Sequence, residues 1–134
     1  MASDRNERVL VVEDDDSQAR LVKVLLESVG YEVHTESSGR PALSFAAEYR
    51  PHLVILDLRL PDVDGYHVCH QLRRLFHPSV VPVVMLTGLD QPIDQLRGFA
   101  HGADAYLTKP CEPSELLKTV AMLLGYTQSP EPEL

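Results

Sequence analysis

Four acidic side chains in a row, Glu13-Asp14-Asp15-Asp16, follow the short apolar run Val9-Leu10-Val11-Val12. A single Asp57 follows a second run, Leu53-Val54-Ile55-Leu56. Thr87 ends a third, residues 80–86, and Thr108-Lys109-Pro110 follows the segment 103–107. Brought to one rim, these segments would combine carboxylates, a hydroxyl and an ammonium. Two carboxylates about 4 Å apart repel by roughly 4 kcal/mol at an effective dielectric near 20. Glu13, Asp14 and Asp57 together therefore need either a raised pKa or a bound cation. Oxygen ligands without Cys or His favour a hard ion, and few carboxylates at an open site suit Mg²⁺ better than a caged Ca²⁺, with Mn²⁺ as a substitute. Lys109, one of three lysines beside nine arginines, would pair as a point charge with Asp57 or with an anion attached there. Such a rim fits a carboxylate nucleophile toward a phosphoryl group, with Thr87 donating to one phosphoryl oxygen and Lys109 binding another. Gly88 leaves the approach open.

The elements that must position these groups alternate regularly. The three apolar runs read as strands covered on both faces, with Pro82 tolerable only near the start of its strand. Tyr31–Glu36 alternates, with Tyr31, Val33 and Thr35 on one side, as at a partly wet edge; residues 103–107 suggest the opposite edge. Helical spacing of apolar residues covers 17–29, 41–49, 66–76, 92–101 and 113–124. Pro41 and Pro113 suit first turns, and Gly30, Gly102 and Gly125 serve as stops. Five strands each followed by a helix imply an α/β fold with a parallel sheet covered on both faces, too few units for a closed eight-stranded barrel. In such sheets ligands bind beyond the carboxyl ends of the strands, where the acidic rim lies.

Composition narrows the classes further. At 134 residues the chain has room for one domain, and 44% hydrophobic with 24% charged residues is a globular balance. No apolar run approaches the ~20 residues of a membrane span, and the polar N-terminus is no signal peptide. Cys69 and Cys111 form no C-x-x-C pair and read as free thiols of a reducing cytoplasm. A net charge of −8 argues against DNA as a direct partner, since binding there depends on cations neutralising phosphates. Residues 1–7 read as a flexible lead and 127–134, with two prolines and no apolar pattern, as a disordered tail around a domain at 8–126.

Four stretches together carry a resemblance: Val-Leu-Val-Val-Glu-Asp-Asp (9–15), Leu-Asp-Leu-Arg-Leu-Pro-Asp-Val-Asp-Gly (56–65), Val-Met-Leu-Thr-Gly (84–88) and Gly-Ala-Asp-Ala-Tyr-Leu-Thr-Lys-Pro (102–110). In order and spacing the chain resembles the receiver domain of two-component response regulators. That resemblance implies a doubly wound, flavodoxin-like (βα)5 fold with strand order 2-1-3-4-5. It implies that Asp57 accepts a phosphoryl group from a phosphohistidine on a sensor histidine kinase or a histidine phosphotransfer protein. Glu13 and Asp14 would hold Mg²⁺ with Asp57 and the backbone carbonyl of Arg59. Thr87 and Lys109 would contact the phosphoryl oxygens beside Gly88. Lys109-Pro110 would be a cis bond, and Tyr106 an aromatic that rotates on activation, unless it is plain edge packing. The donor would dock near Gln18, Leu21 and Val22 and on the turn at Pro110-Cys111. Output would pass to a downstream protein target through the face of the fourth helix, fifth strand and fifth helix, as a monomer or a phosphorylation-dependent dimer. The chain would be a phosphoacceptor rather than an enzyme; the alternative is a phosphorylation-independent pseudo-receiver.

Some residues depart from the family's pattern or read more plainly. Glu13 stands where Asp is commoner, Arg59 could fold over the acyl phosphate, and Cys111 replaces a frequent phenylalanine. Asp15 and Asp16 suit a solvated turn and helix N-cap, while Asp62 and Asp64 shape the turn closed by Gly65. Asp62-Val63-Asp64 is similar to the D-x-D of haloacid-dehalogenase phosphatases, but follows Pro61 in a loop instead of ending a strand. His67 and His70, three apart on a helix, read as surface histidines before a metal pair.

Overall fold

A computed structural model describes residues 7–128. The order is β1 (Arg8–Val12), α1 (Asp16–Glu27), β2 (Glu32–Glu36), α2 (Gly39–Tyr49), β3 (Leu53–Leu56), α3 (Gly65–Phe76), β4 (Val83–Thr87), α4 (Pro92–Ala100), β5 (Ala105–Thr108) and α5 (Pro113–Gln128). All strand pairings are parallel, in the order β2-β1-β3-β4-β5. The alternating β2 and the weak β5 are the edges, as their patterns required.

Side-chain parity explains the unbroken apolar runs. Leu10, Val12, Val54, Leu56, Val83 and Met85 face one side, where α2 and α3 cover them through Ala42, Ala46, Val68, Cys69, Leu72 and Phe76. Val9, Val11, Leu53, Ile55, Val84 and Leu86 face the other side, against Leu26 of α1 and Leu116, Val120 and Leu124 of α5. Each such side chain contributes roughly 1.5–3 kcal/mol when fully buried, so a central strand needs an apolar residue at every position.

The helix ends are fixed by local chemistry. Asp15 caps α1 by accepting the Gln18 N–H at 3.1 Å, and Asp64 caps α3 by accepting that of Tyr66 at 2.9 Å. Gln91 and Asp94 form a capping box on α4, with Pro92 in its first turn. Gly30 and Gly102 end helices at φ 101° and 110°. The helices differ in how firmly they sit. α3 buries six residues, Gly65, Tyr66, Val68, Cys69, Leu72 and Phe76. α4 buries Gly98 alone and leaves Ile93, Leu96 and Phe99 exposed.

Two expectations needed adjustment. β4 begins at Val83, so Pro82 lies just before the strand, where its carbonyl still accepts the Val54 N–H at 3.0 Å; Val80 is 69% exposed. The cause is the missing N–H of Pro82, which cannot donate to the ladder. α5 runs to Gln128, through the Gly125 expected to stop it and two residues beyond the domain boundary read from sequence; of the expected lead at 1–7 and tail at 127–134, residues 1–6 and 129–134 lie outside the described residues. Cys69 is buried and Cys111 half-buried, both as free thiols. Among the described residues no helix is long and apolar enough to cross a membrane.

Candidate functional site

Glu13 leaves β1 with its N–H on the Glu36 carbonyl at the end of β2, at 2.9 Å, and Asp57 leaves β3 with its N–H on Val12 O at 3.0 Å. Two residues that follow neighbouring strands are thus held by backbone before their side chains act. Lys109 arrives after β5 with its N–H on Thr87 O at 2.8 Å. Its Nζ donates to Glu13 Oε1 at 2.6 Å and to Asp57 Oδ2 at 2.8 Å. The remaining carboxylate oxygens are also engaged: Glu13 Oε2 accepts the Asp15 N–H and Asp57 Oδ1 the Arg59 N–H, each at 3.2 Å. Glu13 is 5% and Asp57 6% exposed, and buried charge of this kind survives only when paired.

Burial raises the Glu13 carboxyl above its ordinary range, against the opposing hydrogen bonds of Lys109 and the Asp15 amide; the Asp57 charge adds to the rise. For Lys109 burial works downward, yet the hydrogen bonds and charges of Asp57 and Glu13 outweigh it and hold the ammonium above its usual value. One ammonium therefore serves a cluster that Asp14 makes more acidic still. Oxygen atoms of Glu13, Asp14 and Asp57 all lie within 4.8 Å of one another. Three oxygens, two of them buried and one exposed, form a donor set that fits a small hard divalent cation open to water. Arg59 is exposed in the loop two residues beyond Asp57.

Thr87 is fully buried, Gly88 is exposed, and a Cβ built on Gly88 would meet nothing within 4 Å. Thr87 shares a sheet face with Tyr106, by the pairing Met85↔Tyr106 and Thr87↔Thr108. Leu89, which the sequence reading passed over, joins them: its N–H donates to Thr87 Oγ1 at 3.3 Å, and its carbonyl accepts the Tyr106 hydroxyl at 2.8 Å. Burial, helped by nearby Tyr66 and acidic side chains, pushes the Tyr106 phenol up to about 12, so it stays a donor. The same ring fills the space above Gly98, where a Cβ would come within 2.8 Å of it and 2.9 Å of Met85 Sδ.

Beside the acidic cluster lies a groove of about 450 Å³ between α1 and α5. Leu21, Val22, Leu25, Cys111 and Leu116 line it, and Gln18, Pro110, Glu13 and Lys109 stand at its polar end. All five residues expected to receive a donor are among its walls. Lys109–Pro110 is a cis bond. His67 and His70 are exposed, and among the described residues the acidic trio is the only group of three metal-ligating side chains. Asp62, expected to shape its own turn, instead reaches α2.

Residues 9–121 match the response regulator receiver domain family. The chain is 43% identical over 120 residues to the DNA-binding dual master transcriptional regulator RpaA of Synechocystis sp., covering 90% of this chain and 50% of that protein. Among solved structures, a putative response regulator from Chloroflexus aurantiacus superposes with a TM-score of 0.84 at 36% identity, covering 90% of this chain and 99% of that one. The BeF3-activated receiver domain of Klebsiella pneumoniae RstA does so at 0.82 and 31%, covering 88% and 98%. The chain spans about half the length of the curated relatives it matches. The relative from Synechocystis is described as DNA-binding, so the expectation of no nucleic-acid partner, drawn from net charge, finds no support there. With its sheet order, its acidic rim and these relatives, the chain belongs to the response regulator receiver domains of two-component signalling.

Proposed function

We propose that Asp57 is the phosphoacceptor of this receiver and that its phosphorylation switches protein contacts. The observation that carries the reading is Lys109 Nζ bridging Asp57 Oδ2 and Glu13 Oε1 within the acidic trio, beside buried Thr87. An oxygen of the Asp57 carboxylate attacks phosphorus, the P–N bond to a donor imidazole breaks, and the neutralised imidazole departs with the electron pair. Glu13, Asp14, Asp57 and the Arg59 carbonyl would hold a Mg²⁺, which would supply charge neutralisation at the phosphoryl oxygens. Lys109 exchanges its carboxylate partner for a phosphoryl oxygen, and the Thr87 hydroxyl donates to another across the open space at Gly88.

A single carboxylate charge then becomes an acyl phosphate of about −1.5 to −2. Turning Thr87 toward it withdraws the acceptor of the Leu89 N–H, and Leu89 holds the Tyr106 hydroxyl. Tyr106 in turn is the seat of α4, so the exposed Ile93, Leu96 and Phe99 form the output face with β5 and α5, and Tyr106 acts as a switch residue. The phosphohistidine donor, a sensor histidine kinase or a histidine phosphotransfer protein, docks along Gln18, Leu21, Val22, Pro110 and Cys111, with Pro110 held cis. The groove there offers apolar walls that end at the acceptor carboxylate. A complete pocket gives no observation in favour of a phosphorylation-independent module.

Incubation with acetyl phosphate and Mg²⁺ followed by intact mass tests this. Wild type is expected to gain one phosphoryl group, while Asp57→Asn or added chelator abolishes the gain. Equal labelling of Asp57→Asn would overturn the assignment.

A further inference from the structure

The loop after β3 carries more than Asp57. Asp62 leaves it to meet α2, accepting the Gly39 N–H on Oδ1 and the Arg40 N–H on Oδ2, each at 2.8 Å. These are first-turn donors of α2 that a local cap would ordinarily satisfy. Ser38, at the N-cap position, gives its side chain to none of them. Val63 closes the same contact: a Cβ on Gly39 would overlap Val63 Cγ2 and stand 2.8 Å from Val68 Cγ2. The amides of Arg40 and Gly39 hold the Asp62 carboxyl below its ordinary range, so it remains a charged acceptor.

The loop has two further backbone attachments. The Arg59 N–H lies on Asp57 Oδ1 at 3.2 Å, and the Gly65 N–H on Leu58 O at 3.1 Å. A Cβ on Gly65 would stand 2.5 Å from Leu58 Cα and 2.8 Å from Asp57 O, so the loop folds on itself without slack. Residues 59 and 64 bridge across it. One end of a taut segment thus rests on the acceptor carboxylate and its middle rests on a helix.

We propose that Asp62 is a positioning residue that couples the state of Asp57 to the first turn of α2. The inference rests on the phosphoacceptor reading given above. Converting the Asp57 carboxylate to an acyl phosphate changes the charge on the oxygen that holds the Arg59 N–H, and a loop without slack passes the adjustment to Asp62 and its two amides. Coupling of this kind is reciprocal: whatever fixes α2 also sets the affinity for a group at Asp57.

Amide spectra of the ¹⁵N-labelled full chain, with Mg²⁺ alone and with Mg²⁺ plus fluoroberyllate, test the coupling. In wild type the Gly39 and Arg40 amides are expected to shift on fluoroberyllate addition together with Thr87 and Gly88. In Asp62→Ala, Thr87 and Gly88 still shift, Gly39 and Arg40 no longer respond, and fluoroberyllate binds about fivefold or more weakly. Asp62→Asn, which keeps one acceptor oxygen, falls between the two. A residue that merely caps α2 would lower stability and leave the ligand-induced shifts intact. Wild-type spectra in which Thr87 and Gly88 move while Gly39 and Arg40 stay still overturn the coupling alone. So does an Asp62→Ala protein with unchanged affinity and unchanged shifts. Spectra in which neither pair moves overturn the phosphoacceptor reading and the coupling with it.

Discussion

At the carboxyl ends of the strands Lys109 holds two carboxylates that repel each other, whereas at the amino ends two arginines hold backbone carbonyls. Arg8 donates to Tyr49 O at 2.9 Å and to Arg50 O at 2.6 Å, where Arg50 closes α2 at φ 52°. Arg73 donates to Val81 O at 2.6 Å, to Gly102 O and to Asp104, whose carboxylate also takes the Val83 N–H at 2.8 Å. A carbonyl partner cannot ionise or be phosphorylated. The amino end is therefore fastened largely through neutral backbone carbonyls, and the carboxyl end through paired carboxylates. Function at one rim is tolerable because the other rim carries the fastening.

Removing the fastening should cost most. Arg73→Ala strands two carbonyls and a carboxylate that caps β4, and is expected to lower stability by roughly 2–3 kcal/mol in urea titrations. A loss below the error of the titration would end the comparison between the two rims.

Acid should separate the ends by sign. His52 Nδ1 accepts the Arg8 N–H at 2.9 Å, a role only the unprotonated nitrogen can fill. Burial, with Arg8 adding to it, holds its pKa below the ordinary 6.5. The unfolded chain then binds the proton more readily, so this contribution is complete above 6.5 and is lost as pH falls through the folded value. Urea midpoints between about pH 7.5 and pH 5 should fall more steeply for wild type than for His52→Gln. Glu13 has the opposite sign: its raised pKa means that the folded state keeps the proton, so its contribution grows as pH falls through the carboxylate range.

The smallest effect belongs to Asp57. Asp57→Asn removes one of three clustered carboxylates and leaves Lys109 its bond to Glu13, so relief of repulsion offsets the lost pair and stability should move by less than about 1 kcal/mol. A large loss would make Asp57 a structural residue and erase the contrast.

Much of this was legible from sequence because it is periodic or terminal. Apolar runs of four marked β1 and β3 as covered strands, and the residue after each run had to stand at the rim, which delivered Glu13, Asp57, Thr87 and Lys109. What stayed hidden were side chains acting on distant backbone. Asp62 on α2, Arg73 on Gly102 and Leu89 between Thr87 and Tyr106 leave no spacing to detect, because a carbonyl or an amide is present at almost every position. The start of β4 was missed for a related reason: Val80-Val81 has strand composition, and the backbone at Pro82 overrules it.

The one buried residue of α4 is a glycine lying on an aromatic ring. A helix seated on knobs must lift them out of holes before it shifts, and each lift exposes apolar area. This helix rests instead on two aromatic rings, Tyr106 beneath Gly98 and beside Phe99, and Tyr66, whose hydroxyl donates to Asp94 O at 3.3 Å and whose ring takes the Arg97 guanidinium at 4.8 Å. With a single buried residue, α4 is held by fewer buried groups than α1, α2 or α3.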